Sequence, residues 1–174
     1  MAYIDIPITE EMLETAHATI EHVKVDRTVA SPYDTLTGLL GEMAVAQWFL
    51  GDWRKHDLVG TKGRPDIEDR IEVKTSAYPF RDTLNLLVRE DYAEARKPEV
   101  YVQVIINIPT PDAKTIEVGT ICRISGWATS DEVAKADLRD FGAKGGGKGG
   151  YRCRYIQIRS LHDMDTFPIE RTAA

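Results

Sequence analysis

Apolar residues recur at Met12, Ala16, Ile20 and Val23, a spacing that lays one stripe along a helix. Thr9 precedes them as an N-cap, and Glu10 and Glu11 follow in the first turn, where the helix dipole favours carboxylates. The pattern predicts a helix over residues 10–26. Ser31-Pro32-Tyr33-Asp34 breaks it. Leu36, Leu39, Leu40, Met43, Ala44 and Trp48 then form the stripe of a second helix over residues 34–50, and Gly51 stands where a helix-ending glycine is expected.

Beyond residue 56 the period changes. Asp57-Leu58-Val59 and Pro65-Asp66-Ile67 read as short extended pieces, and Glu68-Asp69-Arg70 as a polar turn. Ile71-Glu72-Val73-Lys74-Thr75 alternates with period two, which is a strand signal. Further strands are expected over residues 84–88, 100–108, 115–124 and 151–158, the second being the most apolar. Short helices are expected over residues 90–96, stopped by Pro98, and over residues 130–138, capped by Ser130, with a last helical turn at residues 161–164. Residues 142–150 form a glycine-lysine loop. No repeat and no linker divides the chain. The expected architecture is a single α/β domain over residues 1–174, a central mixed β-sheet flanked by helices, with a helical part at 9–50 and a sheet core at 55–160.

Composition adds little to this picture and removes several classes from it. An apolar fraction of 43% and a charged fraction of 29% are ordinary for a globular chain of 174 residues. No run approaches the roughly 20 apolar residues of a membrane helix, and no basic start leads into an apolar stretch, so neither a membrane partner nor a secretory signal is expected. Cys122 and Cys153 form no CxxC pair and sit in strand-like runs. They read as buried free thiols, which suit a cytoplasmic or other intracellular compartment. The histidines are scattered, and no Ser/His or Cys/His arrangement for nucleophilic catalysis is visible. Residues 142–148 satisfy GxxxxGK, but Gly149 stands where a P-loop has Ser or Thr and a strand follows, so nucleotide binding is rejected.

The net charge of −6 argues against a protein that coats nucleic acid by bulk attraction. Its distribution matters more. Residues 1–26 carry six carboxylates against Lys24, whereas residues 141–162 carry Lys144, Lys148, Arg152, Arg154 and Arg159 and no carboxylate. Lys144, Lys148, Arg152 and Arg154 are the candidate DNA-binding residues. The loop lysines read either as a plain surface loop or as a mobile clamp on phosphates, and the arginines either as phosphate contacts or as partners of Asp131, Glu132 or Asp137.

Candidate chemistry concentrates at Asp66, Glu72 and Lys74. Positions two apart in a strand share a face, so Glu72 and Lys74 point one way while Ile71 and Val73 point into a core. A tight turn at residues 68–70 would fold Asp66 back beside them. Two converging carboxylates repel unless a cation lies between them, and such hard oxygen ligands suit Mg²⁺. The competing reading is a surface hairpin with solvated charges.

Pro65-Asp66, five intervening residues and Glu72-Val73-Lys74 resemble the signature of the PD-(D/E)XK nuclease superfamily, the restriction-endonuclease-like fold. The likeness covers about residues 36–106. It implies a Mg²⁺-dependent endonuclease that hydrolyses DNA, with Mn²⁺ able to substitute. Asp66, Glu72 and the Val73 carbonyl would then hold metal and Lys74 would position the attacking water. Glu42, within Gly41-Glu42-Met43, matches the helix glutamate of many members and would hold a second metal or a metal-bound water. Glu42 also reads as a partner of Lys74 or as a solvent-facing residue. The Gln-x-x-x-Tyr motif common in RecB-like exonucleases is missing from residues 90–96, which favours an endonuclease. Double-strand cutting would call for a homodimer. The rival class is a non-catalytic module on the same fold that binds nucleic acid or protein.

Overall fold

The segment that alternates around Glu72 becomes an edge strand of a four-stranded mixed sheet. The computed structural model describes residues 2–22, 31–56, 65–95, 97–142 and 150–172. These contain strands β1 (Ile4–Pro7), β2 (Ile71–Ala77), β3 (Asn85–Arg89), β4 (Val100–Ile106), β5 (Ile121–Thr129), β6 (Asp137–Asp140) and β7 (Arg152–Gln157). They also contain helices α1 (Glu10–His22), α2 (Pro32–Leu50), α3 (Glu90–Ala95) and α4 (Ser130–Lys135). The first sheet has the order β1-β5-β4-β2, with β2 parallel to β4 and the other pairs antiparallel. A second, antiparallel sheet has the order β3-β7-β6. The protein is thus α/β, with a mixed central sheet flanked by helices.

β4 is buried at every position because both faces of its sheet are covered. On one face Val102, Val104 and Ile124 pack against α2 through Leu40, Met43, Ala44 and Phe49. On the other face Tyr101, Ile105 and Ala128 pack with Leu86 and Val88 of the second sheet and with Ala93 and Val133 of α3 and α4. A strand covered on both sides reads as a continuous apolar run, which is why residues 100–106 carried the clearest strand signal.

α2 begins two residues before its predicted start. Ser31 accepts from the Asp34 amide, the Asp34 carboxylate accepts from the Ser31 amide, and Pro32 occupies the first turn. A proline is tolerated there because its missing N–H would have no partner in the helix. Gly51 ends the helix in the left-handed region at φ 75°, as expected. α1 is described to His22, and residues 23–26 of its predicted span lie outside the described residues, as does the expected extended piece Asp57-Leu58-Val59.

Four expectations are corrected. β1 was not anticipated; it pairs with β5, and its Asp5 carboxylate accepts two hydrogen bonds from Arg123 at 2.9 Å. The strand expected over 115–124 begins at Ile121 and runs to Thr129. The cap of α4 is Thr129, whose hydroxyl accepts from the Glu132 amide while the Glu132 carboxylate accepts from the Thr129 amide. Ser130 instead donates its hydroxyl to the Pro98 carbonyl. That helix stops at Lys135, and residues 137–140 turn into β6 along β7. Cys122 and Cys153 are free and buried, and all three tryptophans are buried. No helix among the described residues is long and apolar enough to cross a membrane.

Candidate active site

A type I′-like turn builds the site. Ile67 and Ile71 exchange backbone hydrogen bonds at 3.0 Å, and the Arg70 amide donates back to the Ile67 carbonyl at 3.0 Å. The two central residues, Glu68 and Asp69, take left-handed φ values of 53° and 58°. Such a turn requires positive φ at both central positions, and its twist matches the strands on either side. It returns the chain so that Asp66 Oδ2 accepts from the Val73 amide at 2.8 Å.

That bond also fixes which way the strand edge faces. The Tyr78 amide donates to Ile106 of β4, and the Arg70 carbonyl accepts from Glu99 and Val100. Even-numbered residues of β2 therefore turn their backbone toward β4, and odd-numbered ones turn it outward. The Val73 carbonyl lies on the outer edge, the side from which Asp66 approaches.

Ile71 and Val73 enter the core under α2. Glu72 and Lys74 project from the opposite face, in register with Tyr101 and Gln103 of β4. Glu72 is 3% exposed. Its Oε1 lies 3.0 Å from Lys74 Nζ, and the Lys74 side chain is 25% exposed. A buried carboxylate needs a partner of opposite charge, and Lys74 is one. The lysine ammonium also lies 6.0 Å from the centre of the Tyr92 ring.

Gly41 of α2 packs on the other side of the same strand. A Cβ at Gly41 would fall 1.8 Å from Thr75 Oγ1, so only glycine permits this approach of helix to strand. The half-buried Glu42 is the next residue. Glu42, Asp66 and Glu72 are not drawn into one cluster: among the described residues no group of three or more His, Cys, Asp and Glu is arranged to hold a metal ion. What β2 and its turn offer is Asp66, Glu72 and the Val73 carbonyl, an all-oxygen set. Mg²⁺ is commonly held by one or two carboxylates, with waters and substrate phosphate completing the shell, and the donors here fit that chemistry.

Beside Lys74 opens a cleft of about 510 Å³. Its walls are Tyr33, Asp34 and Thr37 from the start of α2, Lys74 to Ala77 of β2, Leu87 of β3, Gln103 of β4, and Tyr151. Burial raises the Tyr33 hydroxyl above its ordinary pKa, helped by Asp34, and burial likewise raises Tyr151. Both phenols are therefore neutral hydrogen-bonding groups at physiological pH.

No family model, curated protein or solved structure matches this chain. The geometry of its own residues therefore carries the functional reading.

Of the candidate DNA-binding residues, Lys144 and Lys148 lie outside the described residues. Arg152 pairs with Glu90 at 3.3 Å, and Arg154 donates to the Ala136 carbonyl at 2.9 Å. Those partners differ from the acids expected at 131, 132 and 137 because β7 lies between β3 and β6, with α3 at one end. The sequence reading missed Tyr33, Gln103 and Tyr151 as site residues. Gln103 did carry a signal: it is the lone polar residue of β4 and is only 1% exposed. The two tyrosines carried none, since they come together only through the fold.

Proposed function

We propose that this protein is a Mg²⁺-dependent endonuclease that hydrolyses DNA phosphodiester bonds. The observation that carries the reading is the local arrangement of Glu72 and Lys74 on one edge strand and Asp66 in the turn that leads into it, beside an open cleft. Asp66 is pinned to the Val73 amide, and Glu72 is buried against Lys74. A solvated hairpin would leave its carboxylates in water. A carboxylate buried at 3% exposure next to an ammonium is instead a costly arrangement that suits a prepared site.

A bound Mg²⁺ would supply Lewis acidity and a template for the attacking water and the phosphate. Asp66, Glu72 and the Val73 carbonyl would hold it. Lys74 has three N–H donors and gives one to Glu72, which leaves two to orient water or meet charge developing on the phosphate. The Glu72 contact also keeps the Lys74 chain from sweeping through alternative rotamers, so the ammonium is positioned before substrate arrives. Glu42, one residue from the Gly41–Thr75 contact, is assigned a supporting role on the helix side of β2.

The test is nicking of supercoiled plasmid with Mg²⁺, with and without EDTA. Wild type should cut, and Lys74→Met and Glu72→Gln should lose about 10²-fold or more, as expected for removal of a positioned electrostatic group. Equal cutting by all three would sink the assignment. Lack of metal uptake even with DNA present would favour a non-catalytic binding module.

A further inference from the structure

We propose that the cleft beside Lys74 receives a nucleobase turned out of its stack, so that the strand is cut at an unpaired nucleotide. The inference rests on the phosphodiesterase reading, which places the phosphate at Lys74, and it names the form of nucleic acid the site accepts.

The charge of the cleft is the first reason. Among the described residues, its walls hold one ammonium, Lys74, and one carboxylate, Asp34. A groove that tracks the backbone of duplex DNA needs several cations, because each phosphate contact is a charge contact. Among the described residues one cation stands at the strand edge, next to Glu72, and beyond it the walls are uncharged apart from Asp34. That division suits one phosphate at the mouth and a neutral, polar, planar group inside.

The lining chemistry is the second. Tyr33 approaches from the α2 side of the central sheet and Tyr151 from the side of the second sheet. Aromatic rings accept any base by stacking. Leu87 and Ala77 add apolar surface. Ser76, at an exposed position on the wall, adds a hydroxyl able to bond the edge of a base.

The third reason is size. The volume of about 510 Å³ lies within the range of pockets that enclose small organic ligands, and it is too small to enclose a double helix.

The experiment uses the full chain in EDTA, so that no cleavage occurs. Three oligonucleotides carry one 2-aminopurine: a single strand, a duplex in which that base is unpaired, and a fully paired duplex. Fluorescence anisotropy reads affinity, and 2-aminopurine emission reads the environment of the base. The single strand and the duplex with the unpaired base should bind about tenfold or more tighter than the paired duplex, the scale of one stacked base. Only those two should change emission. Ser76→Trp, at an exposed position on the wall, should abolish the preference by filling the mouth, and Tyr33→Leu should weaken it by removing the ring. Equal affinity for all three oligonucleotides, or an unchanged preference in Ser76→Trp, would overturn the proposal. Adding Mg²⁺ separates the two readings. Cleavage without preference for unpaired bases leaves the nuclease standing and removes the base pocket. Selective binding without cleavage supports the base pocket and removes the nuclease.

Discussion

The Asp66 carboxylate accepts the Val73 amide at 2.8 Å, so one side chain both closes the turn and faces the edge where a metal would be held. These two duties can be separated. Asp66→Asn retains a carbonyl oxygen for the amide but loses the charge. It should melt within a few degrees of wild type and lose Mg²⁺-dependent nicking. Asp66→Ala strands the amide and should cost about 1–3 kcal/mol as well as activity. Thermal melts run beside the plasmid assay check both outcomes.

Gly41→Ala should destabilise the fold by about 1–3 kcal/mol, the usual cost of forcing extra atoms into a packed contact. The new Cβ would lie 1.8 Å from Thr75 Oγ1 and 2.7 Å from Thr75 Cγ2, atoms that Thr75→Ala deletes. The double variant should therefore recover part of the loss. Urea denaturation of the two single variants and the double variant measures the coupling.

Acid should loosen the strap that joins the last part of the chain to β5. His162 stacks on Trp127 with ring centres 4.3 Å apart, and its Nε2 lies 2.6 Å from Glu132 Oε1. Burial pushes the Glu132 carboxyl up, but the Thr129 amide and the His162 contact outweigh it and hold the group below its ordinary value of 4.5. A carboxyl depressed in the folded state contributes stability that is present above 4.5 and is lost as the pH falls through the folded value. The melting temperature should fall below pH 4.5, and Glu132→Gln should flatten that fall. A variant with the same pH profile as wild type would contradict the linkage.

The thiols should be silent in the folded protein. Burial pushes Cys122 up to about 12 and also raises Cys153. A thiol reacts as its thiolate. A disulfide reagent at pH 8 should therefore find neither cysteine until denaturant is added, when it should find two.

What could be read from the sequence depended on how many residues shared one period. α2 was legible because its apolar stripe runs over some five turns between a serine cap and a glycine stop. β4 was legible because both of its faces are covered. β1 and β6 are four residues each and have only half-exposed and exposed positions, so they contain too little apolar periodicity to stand out from loops. At the site, the spacing of Asp66, Glu72 and Lys74 identified the strand and the turn, since both follow from local chain geometry. The placement of Glu42 apart from a three-carboxylate cluster was not legible, because it depends on how α2 lies across β2. The walls of the cleft were hidden for the same reason, since Tyr33 and Tyr151 are 118 positions apart in the chain.

The pairing of β1 with β5 bears on the order of folding. Asp5 and Arg123 meet across 118 positions, and among the described residues β1 has no other strand neighbour in its sheet. During synthesis β1 emerges long before β5, the strand it pairs with, exists. Closing so large a loop is entropically slow, and a chain rich in distant pairings folds on the slower side of its size class. Until β1 docks, the outer edge of β5 is a row of unsatisfied amides and carbonyls, the kind of surface on which two nascent chains join by mistake. The same short strand that completes the sheet thus also covers the edge of β5 on which such mispairing would start.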